Sequence, residues 1–221
     1  MKHSNIPVIA IDGPAASGKG TIAGRVAKAL GFHYLDSGAL YRLATLAALK
    51  AGISLDDAQA LELTASRLAP VFEAGRILLD GEDVTQAIRS EAVSAATSKV
   101  AAVPGVRRAL FELQRRAARA PGLVADGRDM GTVVFPEAPL KVFMTASARV
   151  RAERRYRQLL ERGEKADLNM LTADLEARDR RDRERASAPL KPADDARLLD
   201  TSAMGIEEVV GKVLEWWDEC R

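Results

Sequence analysis

The chain has 221 residues, 47% of them hydrophobic, with 33 Lys and Arg against 31 Asp and Glu and a formal net charge of +2. This length suits one domain, or one domain with an insertion, and the near balance of charge gives no support to a bulk nucleic-acid-binding or membrane-surface role. A single cysteine, Cys220, excludes an internal disulfide and fits a reducing compartment.

The apolar run of residues 6–11 is too short for a signal-peptide core and ends in Asp12. No apolar stretch approaches the roughly 20 residues that span a bilayer. A soluble, cytoplasmic protein is therefore expected.

Pro7-Val8-Ile9-Ala10-Ile11 predicts a buried first strand. It leads into Gly13-Pro14-Ala15-Ala16-Ser17-Gly18-Lys19-Gly20-Thr21, and Ile22 to Leu30 has helical periodicity up to Gly31, a helix-ending glycine. Strand, glycine-rich loop and helix are the setting of a phosphate-binding loop. Glycines let backbone N–H groups approach an oxyanion at a helix N-terminus, and Lys19 can reach the β- and γ-phosphates. Gly18-Lys19-Gly20-Thr21-Ile22-Ala23 also matches the dinucleotide pattern G-x-G-x-x-A, with Asp36 downstream. That pattern places its first glycine at the strand end, whereas Gly18 lies well past Ile11. The hydroxyl that commonly follows the loop lysine is Gly20 here, with Thr21 next, so a direct protein ligand to Mg²⁺ is not predicted.

Phe32 to Leu35 reads as a second strand, with His33 as a packing or edge residue. Asp36-Ser37-Gly38-Ala39-Leu40-Tyr41-Arg42 follows as a turn entering a helix, with Asp36 or Ser37 as its cap. Ser54 to about Leu68 is predicted helical. Residues 71–73, 76–80 and 82–84 are short β-like runs turned at Gly75 and Gly81, a small antiparallel insertion. Residues 85–119 return to helix, broken at Pro104-Gly105, with Ser98 and Arg107 on either side.

A third core strand at 123–126 runs into Gly127-Arg128-Asp129-Met130-Gly131, an Arg–Asp pair at a strand's carboxyl end, where open α/β sheets bind ligands. Strands at 140–144 and 196–200 and a closing helix at 206–217 complete the pattern. Between them lie two arginine-rich helices, 147–162 (Arg149, Arg151, Arg154, Arg155, Arg157) and 171–187. Arg178, Asp182 and Arg185 are spaced i, i+4, i+7, which predicts one shared helical face. The bland reading of these helices is a solvated face of ion pairs. An RNA-binding reading lacks a stacking platform, since Tyr156 is the sole aromatic.

Phosphoryl transfer needs positioning and cationic clamping, and a phosphate loop, an Arg-Asp loop and an Arg-rich lid would supply donor site, acceptor site and water exclusion. With Gly18-Lys19-Gly20-Thr21, Asp36-Ser37-Gly38, Asp126-Gly127-Arg128-Asp129-Met130-Gly131-Thr132 and Arg178 through Leu190 in this order, the chain resembles the bacterial cytidylate (CMP) kinases, within the nucleoside monophosphate kinases. The resemblance covers essentially the whole chain. It implies a P-loop α/β fold: a five-stranded parallel sheet flanked by helices, a β-insertion in a monophosphate-binding region near 38–115, and a short helical lid near 150–170, all in one kinase domain. It implies transfer of the γ-phosphate of ATP to CMP or dCMP, with Mg²⁺ held by phosphates and water and no dedicated metal ligands. Residues 13–21 would bind ATP. Ser98, Arg107 and Asp129 would read cytosine, with Ser37 lining that site. Arg42, Arg128 and Arg185 would hold the acceptor phosphate, and Arg178 with Asp182 the ribose. Arg151, Arg154 and Arg155 would lie near ATP. Lys19, Arg128, Arg185, Arg154 and Arg155 are the expected catalytic cations. A monomer without nucleic-acid partners is expected. The alternatives are a kinase for another monophosphate such as UMP or AMP, or for a small hydroxyl compound, a nucleotide-dependent switch, and an RNA-binding protein.

Overall fold

The computed structural model describes residues 6–73, 75–161 and 163–221. The chain divides into two compact units, one formed by the chain up to Leu35 together with Ala117–Arg221, the other by Asp36–Arg116.

The first unit is built on a five-stranded parallel sheet in the order β2-β6-β1-β7-β8, with β1 Val8–Asp12, β2 His33–Asp36, β6 Leu123–Gly127, β7 Leu140–Thr145 and β8 Arg197–Asp200. β1 is central and pairs in parallel with β6 and β7, with Asp12 opposite both Gly127 and Phe143. All five residues of β1 and of β6 are buried, as continuous apolar runs in a covered parallel sheet should be. One face packs on α1 (Lys19–Leu30) and α8 (Ile206–Glu219), through Ile22, Val26, Val209, Val213 and Trp217 against Ile9, Ile11, Val124, Val142 and Met144. Phe32 meets Trp217 edge to face at 5.7 Å. Both helices carry apolar residues at i, i+3, i+4 spacing toward the sheet. The parallel register sets the ends of β1, β6, β7 and β8 along one sheet edge, which carries the phosphate loop, the Arg-Asp loop and Thr201.

The arginine-rich helices are α6 (Ala148–Glu161) and α7 (Leu168–Glu184). The second runs earlier than its expected span, because the Asp167 side chain accepts from the Met170 N–H and caps it. It also ends earlier. Arg185 has φ −60° and ψ 137°, outside the helix. The single helical face expected for Arg178, Asp182 and Arg185 therefore holds only for the first two.

The second unit contains α2 (Ser37–Lys50), α3 (Ala58–Ser66), a β-meander of β3 (Val71–Glu73), β4 (Arg76–Leu79) and β5 (Glu82–Asp83), then α4 (Glu91–Val100) and α5 (Pro104–Arg116). The meander is antiparallel. Asp80 and Gly81 both have positive φ, 51° and 82°, as the two-residue turn between twisted strands requires. α3 starts four residues later than expected, because Asp57 accepts from the Ala60 N–H and caps the helix there. The predicted 85–119 helix is a single turn at 87–89 followed by α4, capped by Ser90, and α5. Pro104 opens α5 in the first turn, where its missing N–H leaves nothing unpaired.

Candidate active site

The phosphate loop bridges β1 and α1. Gly13 has φ 151°, and a Cβ there would lie 2.1 Å from the Met144 carbonyl oxygen on β7. Only glycine fits that close approach. Gly18, at φ 88°, is the residue just before α1 and offers no side-chain cap, so the first-turn N–H groups of the helix stay available to an anion. Three loop carbonyls accept from cationic side chains. Lys19 Nζ donates to Pro14 O at 2.9 Å, Arg151 Nη1 to Ala15 O at 2.9 Å, and Arg154 Nη1 to Ser17 O at 3.4 Å.

Arg151 is 3% exposed. Its Nε donates to Ala146 O at 2.9 Å, and its terminal nitrogens pair with both carboxylate oxygens of Asp179 on α7, the shorter contact 2.5 Å. Arg154 is half-buried and donates to the Thr201 carbonyl at 2.5 Å. Arg155 is also half-buried on α6.

The Arg-Asp loop leaves β6 beside this loop. Asp12, the last residue of β1, accepts from the backbone N–H groups of Met130 and Gly131, each at 2.8 Å. Burial lifts the Asp12 carboxyl from 3.8 to about 6; the Asp129 charge adds to this, and the two N–H groups and Lys19 oppose it. Beyond Asp129 the backbone forms one wide helical turn, with Val134 N–H bonded to Asp129 O and Phe135 N–H to Met130 O. Arg128 Nε donates to Asp182 Oδ2 at 3.0 Å. Arg185 Nε donates to Ala188 O at 2.7 Å, and its guanidinium lies 4.0 Å from Asp129 Oδ1. The first unit thus brings together Lys19, Arg128, Asp129, Asp182 and Arg185. Arg178 is half-buried on α7, one turn before Asp182.

In the second unit Asp36 caps α2 by accepting from the Ala39 N–H at 3.0 Å, and its other oxygen pairs with Arg42 at 2.5 Å. Arg42 Nε is buried with no hydrogen-bond partner among the described residues. Ser37 is buried at the start of α2, and Ser98 on α4 and Arg107 on α5 are also buried. The Arg107 guanidinium stacks on the Tyr41 ring at 5.5 Å and donates to Ala101 O.

Sequence reasoning missed Asp12, Asp126 and Asp179. Asp126, the last residue but one of β6, accepts from the Tyr34 hydroxyl at 2.8 Å, and a Cβ on Gly20 would lie 3.2 Å from that hydroxyl. The available signal was a carboxylate at or next to the end of each of two apolar strands. No group of three or more His, Cys, Asp or Glu could hold a metal among the described residues, and no helix there is long and apolar enough to cross a membrane.

Residues 9–219 match the family model described as cytidylate kinase. The cytidylate kinase of Cupriavidus necator is 58% identical over 216 residues, 98% of this chain and 97% of that protein, and that of Ralstonia pickettii is 57% identical over 96% of this chain and 91% of that protein. The chain belongs to the cytidylate kinase family. Among solved structures, a gluconokinase from Sinorhizobium meliloti superposes with a TM-score of 0.51 at 18% identity, covering 96% and 92% of the two chains. That likeness shows the fold alone. In the terms of the cytidylate kinase family, the parallel sheet and phosphate loop are the P-loop kinase core, and the chain is an ATP-dependent phosphotransferase.

Proposed function

We propose that the chain transfers the γ-phosphoryl group of ATP to CMP or dCMP, releasing ADP and CDP or dCDP. The observation that carries this reading is the Asp12 clamp. One carboxylate at the root of the phosphate loop holds the backbone beside Arg128 and Asp129, so a triphosphate loop and an acceptor loop share one sheet edge. Family membership supports cytidylate as the acceptor.

The loop N–H groups and Lys19 bind the β- and γ-phosphates and meet the charge that spreads over the equatorial oxygens in the transition state. Arg128 and Arg185 are proposed to hold the acceptor phosphate in line for attack, the first oriented by Asp182. Arg42 is also proposed to bind phosphate, and its buried Nε is a suitable donor. Ser98, Arg107 and Asp129 are proposed to read the base, with Ser37 lining that site, and Arg178 with Asp182 to bind the ribose. A Mg²⁺ held by phosphates and water is proposed to accompany ATP, where it would neutralise phosphate charge; the loop has Gly20 in the place where a hydroxyl commonly follows the lysine. The reading includes a monomer working in the cytoplasm.

An ADP-release assay with AMP, CMP, dCMP, UMP and GMP tests the acceptor. The highest kcat/KM is expected for CMP or dCMP. Equal or higher efficiency with AMP or GMP would overturn the assignment.

A further inference from the structure

Arg151 has no role in the chemistry above, yet its guanidinium is bonded on every side to protein. Its guanidinium ties three pieces of backbone and side chain together: Ala15 in the phosphate loop, Ala146 just past β7, and Asp179 on α7. The packing follows the same route. Ala15 and Ala16 of the loop lie against Ala152 on α6 and Leu168, Leu171 and Leu175 on α7. A guanidinium engaged this way, at 3% exposure, is spent on protein and not on nucleotide.

We propose that Arg151 is a positioning residue acting through the phosphate loop and α7, with Asp179 as its partner. By accepting on its oxygen side, the Ala15 peptide is held with its N–H turned the other way. By gripping Asp179, the same side chain fixes the helix that carries Arg178 one residue before and Asp182 three residues after. Donor-phosphate geometry and acceptor placement are thereby set by a single buried ion pair. This rests on the phosphotransferase reading but not on which monophosphate is the acceptor.

The test is a double-mutant cycle on Arg151→Lys and Asp179→Asn in the full chain. Each variant is assayed for KM and kcat toward ATP with the best wild-type acceptor, whichever the acceptor panel identifies, and for binding of CMP alone by calorimetry. Each single variant is expected to lower kcat/KM for ATP about tenfold and to weaken binding of CMP alone more than about threefold, because the pair holds both the phosphate loop and α7. The double variant should lose no more than either single one, because the two act as a unit. A silent Asp179→Asn beside an impaired Arg151→Lys would overturn the proposal in favour of direct nucleotide contact, as would additive losses. If either variant melts below the assay temperature, the paired replacement of Arg151→Met with Asp179→Leu substitutes packing for charge. A tenfold loss in kcat/KM for ATP at wild-type melting temperature then supports the positioning role, and wild-type efficiency refutes it. A failed acceptor panel would show as poor turnover of CMP by the wild type, and so is distinguishable from a failed cycle.

Discussion

Arg128 and Asp182 form one ion pair, 3.0 Å long, between the loop after β6 and helix α7. The aspartate is almost fully buried and the arginine partly so. Truncating one partner of such a pair costs about 2–5 kcal/mol, mostly through the charge left behind. Asp182→Ala is therefore expected to lower kcat/KM for CMP by roughly 30-fold or more, with a smaller effect on KM for ATP. Steady-state kinetics with each substrate varied in turn checks this. Equal losses on both sides would contradict an acceptor-side role.

Lys19→Met removes the point charge over the transferring phosphate. A loss in kcat on the order of 10²–10³-fold is expected, as for other preorganised transition-state donors. CMP affinity measured without ATP should stay within about twofold, since Lys19 belongs to the donor side.

Asp129→Ala is expected to raise KM for CMP and to narrow the preference for CMP over UMP. The acceptor panel repeated on the variant reads this directly. Unchanged CMP kinetics would remove Asp129 from the acceptor site.

Asp12 makes folding pH-dependent. Its carboxyl titrates near 6 in the folded chain, raised chiefly by burial, and ordinarily at 3.8. The folded protein thus holds this proton more tightly than the unfolded chain. The stabilisation is fully present below about pH 4 and is lost as pH rises through about 6. The unfolding free energy of the wild type, minus that of Asp12→Asn, should fall by up to about 3 kcal/mol between pH 4 and 7. Urea titrations across that window measure it, and a flat difference would place the group's titration elsewhere.

Gly13→Ala pushes a Cβ into the Met144 carbonyl at 2.1 Å. Strain and steric overlap of this kind cost about 3 kcal/mol or more. A lowered melting temperature together with lost ATP binding is expected, and a wild-type melt would show that the strand end can shift.

The phosphate loop was legible from sequence because its chemistry is local: small residues, a lysine and a helix start within one short run. The parallel sheet was legible from its uninterrupted apolar strands. The Asp12 clamp was not, because its partners are backbone N–H groups 118 and 119 residues away, which have no signature of their own. The resemblance placed Arg151 near ATP; its bonds to Ala15 O, Ala146 O and Asp179 were not legible, since spacing does not show what a guanidinium faces. Arg185 was misplaced on a helix that stops at Glu184. Ala188, at φ 48°, lies just before Pro189 and turns the chain back, so that the Leu190 N–H reaches Asp182 O.

The second unit is one uninterrupted stretch, entered after Leu35 and left before Ala117. Two junctions are enough to exchange it. Any base preference carried by Ser98 and Arg107 can therefore pass between relatives in a single recombination event, while the phosphate loop, Asp12 and the arginine helices are inherited unchanged.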